Sequence, residues 1–97
     1  MKKNISKQDV QDLERVLQER LYFNLLGENS TLDQIHLIYE IVDTLRGAYN
    51  DDGIRKWFDR ERPELEGKNP TDYLGSTWNP EAYNARKVFE LAKSLRA

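Results

Sequence analysis

Apolar residues recur at spacings of three and four along most of this chain, and this periodicity constrains its fold more than any other feature. Residues at these spacings share one face of an α-helix, whereas a half-buried strand would alternate apolar and polar residues. Ser6 and Asp9 form a capping-box pattern, and Gly27 is a natural helix stop. The pattern predicts a first helix over about residues 7–26, with an apolar stripe of Val10, Leu13, Leu17 and Leu21.

The second apolar stripe predicts a central helix. Ser30 and Asp33 repeat the capping signal, and the periodicity continues to Tyr49, so we expect a helix over about residues 31–49. Leu37 and Ile41 widen the stripe, which indicates packing on more than one side. The residues of the stripe itself are Leu32, Ile35, Ile38, Tyr39, Val42, Leu45 and Tyr49.

A third, short helix is expected after the turn cluster at residues 50–53. Its apolar side carries Ile54, Trp57 and Phe58. The helix should end near Arg62, because Pro63 disfavours helical geometry at the residue before it.

Two Asn-Pro pairs predict the starts of two further helices. Asn69-Pro70 should cap a helical turn that ends at Gly75, since proline at the first helical position loses no hydrogen bond. Asn79-Pro80 should open the last helix in the same way. The buried stripe of that helix would be Ala82, Ala85, Val88 or Phe89, Ala92 and Leu95.

Length and composition bound the class of protein. A chain of 97 residues with 38% hydrophobic residues is long enough to fold as one domain, and no apolar run approaches the length that a bilayer requires. The absence of cysteine excludes disulfides and thiolate sites. We therefore expect an all-α, compact bundle of about five short helices, located in the cytoplasm.

No constellation of residues points to catalysis. His36 is the only histidine, which excludes a Ser-His-Asp arrangement and a multi-histidine metal site, and we expect it to be a packing residue. The carboxylates are spread between basic residues, and the glycines are isolated terminators and do not form a phosphate-binding loop. The sequence predicts a protein that is not an enzyme and has no cofactor or metal.

The basic residues do not predict nucleic-acid binding. Arg55, Lys56, Arg60 and Arg62 surround the pair Trp57-Phe58, but six acidic residues between positions 51 and 66 cancel their field. The net charge is −2, and no pair of helices resembles a helix-turn-helix. We expect Trp57 and Phe58 to lie in the core, and we do not expect this chain to bind DNA alone.

The stretch from the third helix to Leu74 resembles the toxin-binding domain of the MbcA/ParS/Xre antitoxins. In that family, a helix ending in Trp and a large apolar residue leads to a loop with Leu-x-Gly, followed by a Pro-led short helix with an acid and a Leu. The residues that match are Trp57, Phe58, Leu65, Gly67, Pro70, Asp72 and Leu74. At each of these positions, core packing or loop geometry is an alternative to direct toxin contact.

The resemblance implies a division of the chain and a function. Residues 30–97 would be the toxin-binding domain, and residues 1–29 a helix for dimerisation or packing. The implied partner is a toxin of the RES type, which consumes NAD or transfers ADP-ribose from it, and the antitoxin would occlude the entrance to its active site. An acidic, helical blocker would complement an anion-binding pocket. By the same analogy, the expected contacts are Lys93, Ser94, Leu95, Arg96 and Ala97.

Several alternatives stay open at this stage. Trp78 could be a core residue or an exposed anchor for the toxin, and it stands where the family runs more directly into its last helix. Fewer than thirty residues precede the toxin-binding part, which leaves no room for the DNA-binding domain that many family members carry. The chain could instead be a DNA-associated regulator or a helical adaptor without a toxin partner. The stripe of the first helix also predicts a homodimer.

Overall fold

The computed structural model describes residues 5–75 and 78–96, and for Arg96 the backbone alone. In these residues the chain forms five α-helices: α1 (Lys7–Leu25), α2 (Leu32–Leu45), α3 (Asp51–Asp59), α4 (Pro70–Leu74) and α5 (Tyr83–Lys93). Two 3₁₀ turns, Pro63–Leu65 and Ser94–Arg96, follow α3 and α5. The described residues contain no strand. The prediction of a compact all-α bundle is confirmed.

The first two helices begin with complete capping boxes. The Ser6 hydroxyl accepts the Asp9 N–H, and the Asp9 carboxylate accepts the Ser6 N–H, both at 3.1 Å, as expected. The cap predicted at Ser30 and Asp33 is wrong by one residue, because Thr31 and Gln34 form the reciprocal pair. Both pairs keep the spacing of three that places a side chain against the free amides of the first turn.

The end of α2 and the start of α5 also differ from the prediction. Helix α2 ends at Leu45, and the N–H of Tyr49 closes a turn onto the Leu45 carbonyl. The helix predicted from Asn79-Pro80 begins only at Tyr83. The Asn79 side chain accepts the N–H of Glu81, two residues on, so it closes a turn there and does not cap a helix.

Helix α1 is interrupted at Gln18, which has φ 66° and ψ 167°. This region of backbone space is essentially restricted to glycine. Next to the interruption, Nη1 of Arg55 donates a hydrogen bond of 2.6 Å to the Val16 carbonyl. On the other side of it, Arg20 pairs with Asp59 at 2.9 Å. Side chains of α3 therefore hold α1 on both sides of its kink.

One core joins all five helices. Helix α1 packs against α3, and α2 packs against α5. The core includes most of the predicted stripe residues, but Leu32, Tyr49 and Leu95 are exposed because they lie at or beyond the ends of their helices. Fully buried core residues include Leu13, Leu17, Ile38, Ile41, Leu45, Ile54, Phe58, Leu65, Ala85, Val88 and Ala92. None of the described helices has the length and apolar character needed to cross a membrane.

Candidate functional site

The loop that carries the antitoxin resemblance is closed by its own backbone. The Arg62 N–H donates to the Lys68 carbonyl at 3.2 Å, and the Gly67 N–H donates to the Arg62 carbonyl at 2.9 Å. Leu65 lies within the loop that these two hydrogen bonds close, and its side chain is fully buried. Glu66 and Gly67 have φ values of 60° and 82°, so the chain reverses through two left-handed residues. Because a Cβ at Gly67 would meet no atom within 4 Å, backbone conformation and not packing space favours glycine there.

The short helix α4 continues directly from this loop. The Asn69 side chain accepts the N–H of Asp72 at 2.7 Å, which caps the helix, and Pro70 is buried at its first position. Leu74 points into the core, while Asp72 is exposed. The Thr71 hydroxyl donates to the Phe58 carbonyl at 3.2 Å and so ties α4 to the end of α3. The loop and α4 thus form one built unit anchored on α3.

Trp57 and Phe58 lie in the core beneath this unit. Their rings meet edge to face at 5.1 Å, and both side chains are almost fully buried. The guanidinium of Arg62 covers the Trp57 ring at 4.9 Å and donates to the Trp57 carbonyl at 3.2 Å. Burial, together with the nearby charge of Arg60, lowers the pKa of Arg62. Trp57 and Phe58 are therefore packing residues and not a stacking surface.

Trp78 is also a core residue. Its side chain is only 6% exposed, and its indole N–H donates to the Leu25 carbonyl at the end of α1 at 2.7 Å. Its own carbonyl accepts a hydrogen bond of 2.7 Å from the Gln34 side chain. Trp78 thus joins α1, α2 and the segment before α5. Gln34, which both caps α2 and holds Trp78, is a residue that sequence reasoning missed, because its second contact is 44 positions away.

The predicted contacts at the end of the chain lie on the surface. Lys93 is half exposed and its ammonium lies 4.9 Å from the centre of the Phe89 ring, while Leu95 is 41% exposed. The Ser94 hydroxyl donates to the Leu91 carbonyl at 2.7 Å. Ala97 and the side chain of Arg96 lie outside the described residues. Because α5 separates these residues from Trp78 by about 16 Å of helix, the structure does not bring the two parts of the predicted site together.

The stripe predicted as a possible dimer seam on α1 is occupied within the chain. Leu13, Leu17 and Leu21 belong to the same core as the residues of α2 to α5. These three residues therefore have a packing role within the chain, and the homodimer stays a prediction.

Three neighbouring depressions in the surface of the described residues share lining residues, and we call the three together the furrow. The first, of about 580 Å³, and the second, of about 540 Å³, share Phe23 and Asn24. The second and the third, of about 670 Å³, share Gln34 and Trp78. The furrow therefore runs from α1 past the edge of Trp78 to the turn at Pro80 and Glu81.

His36 lies on the wall of this furrow. Its side chain is 14% exposed, and Nε2 lies 3.4 Å from the Glu40 carboxylate without the geometry of a hydrogen bond. Within the described part of the chain, no group of three or more histidine, cysteine or acidic residues could hold a metal ion.

Comparison of the chain with protein-family models, curated proteins and solved structures found no match in any of the three.

Proposed function

We propose that this chain is an antitoxin-type protein that binds a RES-type toxin, one that consumes NAD or transfers ADP-ribose from it, and neutralises it by occluding its active site. The observation that carries the proposal is the unit formed by the closed loop and α4. Leu65, Gly67, Pro70 and Leu74 stand in it at the spacing of the antitoxin motif, and each has a distinct conformational or packing role. The proposal places the chain in the bacterial cytoplasm, where NAD is available.

Burial decides which residues could contact a partner. The motif side chains Trp57, Leu65 and Leu74 are committed to the core, so their role in the proposal is to shape the domain. Trp78, once a candidate anchor, leaves the set of proposed contacts, because its ring is buried and its N–H is paired. Binding energy would have to come from exposed side chains.

The end of the chain fits that requirement. The last core residue of α5 is Ala92, and Lys93, Ser94 and Leu95 after it are exposed. Lys93 and Arg96 make this segment basic, although the chain as a whole is acidic. We therefore propose that a basic segment of this chain, and not its acidic surface, contacts the toxin. Arg96 suits a carboxylate of the toxin, or a phosphate of a nucleotide bound there, as a bidentate partner.

A truncation tests this proposal in cells that co-express the chain with a cognate RES-type toxin. The described side chains of this segment, those of residues 93–95, are exposed, so after deletion of residues 93–97 circular dichroism should give the spectrum of the intact protein. We expect the truncated chain to lose protection against growth arrest. The matched control is Glu64→Ala with Glu66→Ala, which alters exposed residues of the loop and should preserve protection.

Two results would contradict the proposal. Full protection by the folded truncation would show that residues 93–97 are not the contact. If neither the truncated nor the intact chain protects, and the intact chain alone shifts promoter DNA, the chain is a DNA-associated regulator instead.

A further inference from the structure

The furrow is an acidic surface with aromatic groups on its walls. Of the described residues that line it, four are acidic and one, Arg20, is basic. Phe23, which separates two of the depressions, is 59% exposed. The four acidic residues are Glu19, Glu28, Asp33 and Glu81. Exposed aromatic side chains beside a concave surface are typical of protein interfaces.

The outer face of α5, defined here as Tyr83, Arg86, Lys87, Glu90 and Lys93, has the opposite charge. It carries three basic residues and one acidic residue, and Glu90 lies 3.8 Å from Lys93. Tyr83 is 68% exposed at the start of this face, and the Lys87 ammonium lies 6.0 Å from the centre of its ring. The inner face of the same helix is fully occupied by the core, through Ala85, Val88 and Ala92.

The two surfaces are adjacent along the chain. Pro80 and Glu81 line the end of the furrow, and α5 begins two residues later at Tyr83. A two-fold axis near this junction would place the outer face of each α5 against the furrow of the other copy. Such a contact closes on itself, so it produces a dimer and not a filament.

We propose that the chain forms a two-fold homodimer through the furrow and the outer face of α5, with a second copy of this chain as the occupant of each furrow. Charge complementarity between the two surfaces selects this occupant. Tyr83 and Phe23 are the expected anchors. This proposal does not depend on the antitoxin function.

Charge-reversal variants test the proposed interface, and mixing two of them tests whether opposite charges restore the dimer. Sedimentation velocity of the intact chain should show a dimer that weakens as salt is raised, because opposite charges face each other across the interface. The double variant Arg86→Glu/Lys87→Glu places acids against the acidic furrow. The double variant Glu28→Lys/Glu81→Lys places bases against the basic helix. Each alone should weaken dimerisation about tenfold or more, and because the interface is two-fold, each suffers the repulsion twice.

Mixing the two variants should restore a dimer, since both halves of the mixed interface then pair opposite charges. The matched control for Arg86→Glu/Lys87→Glu is Arg60→Glu/Lys68→Glu, which makes the same change in net charge at exposed positions outside both surfaces and should leave the dimer unchanged. Circular dichroism checks that each variant is folded. The charge reversals leave residues 93–97 unchanged, so loss of the dimer in these variants can be distinguished from loss of toxin protection, whereas the deletion of residues 93–97 also removes Lys93 from the outer face of α5. A monomer at protein concentrations up to about 100 µM, a dimer indifferent to the reversals, or no recovery on mixing would each overturn the proposal.

Discussion

Replacing Gln18 by glycine should stabilise this protein, although the residue lies inside a helix. Its backbone occupies a region that costs a residue with a side chain about 1–3 kcal/mol, whereas glycine adopts it freely. Glycine also increases the conformational entropy of the unfolded chain, which offsets about 0.5–1 kcal/mol of that gain. The Gln18 side chain is exposed, so little packing is lost. We expect a net gain of about 1 kcal/mol in the free energy of unfolding, or about 4–8 °C in melting temperature.

Two further glycine substitutions serve as controls for this measurement. Glu14→Gly, at an exposed position within the helical part of α1, should cost about 1 kcal/mol. Glu66→Gly, at φ 60°, should be neutral or stabilising for the same reason as Gln18→Gly. Urea and thermal unfolding followed by circular dichroism give all three values. If Gln18→Gly destabilises the protein as much as Glu14→Gly does, then α1 is continuous through Gln18 and the reasoning is refuted.

Three further substitutions test the core and its polar supports. Trp57→Ala should lower the free energy of unfolding by about 3–5 kcal/mol, since the ring is almost fully buried; a thermal melt that barely moves would show the ring to be exposed. Trp78→Phe should cost about 1–3 kcal/mol, because it leaves the Leu25 carbonyl without its donor; an unchanged urea midpoint would argue against that bond. Hydrogen bonding to Arg46 lowers the pKa of Asp12, so its stabilisation is present above the unfolded-state pKa and lost as pH falls through the lower folded-state pKa. Unfolding measured between pH 7 and pH 2 should therefore depend less on pH in Asp12→Asn, and an unaltered pH profile would contradict this assignment.

Local signals in the sequence predicted the helices well, and the positions that they missed depend on distant contacts. Ser6 with Asp9 and Asn69 with Pro70 act within four residues, so their caps could be predicted from spacing. No proline or glycine in the sequence indicates the kink at Gln18. The nearby Val16 carbonyl accepts a hydrogen bond from Arg55, which lies 39 positions after Val16. Adjacent residues can also compete for one role, as Thr31 does with Ser30 at the start of α2.

The candidate site was less predictable than the fold. Whether Trp78 is an anchor or a core residue depends on the Leu25 carbonyl, 53 positions away, and no local pattern encodes that pairing. The furrow is likewise assembled from α1, α2 and the turn before α5, so its acidic character emerges only when these segments meet. Exposure of residues 93–95, by contrast, follows from their position beyond the last core residue of α5.

The most direct test of the central claim is a titration of the purified chain into the proposed RES-type toxin partner, with NAD consumption as the readout. If the chain neutralises the toxin by occluding its active site, NAD consumption should fall to the background rate at a fixed molar ratio of chain to toxin. The chain lacking residues 93–97 should leave the rate unchanged. Undiminished NAD consumption in the presence of excess intact, folded chain would contradict the account.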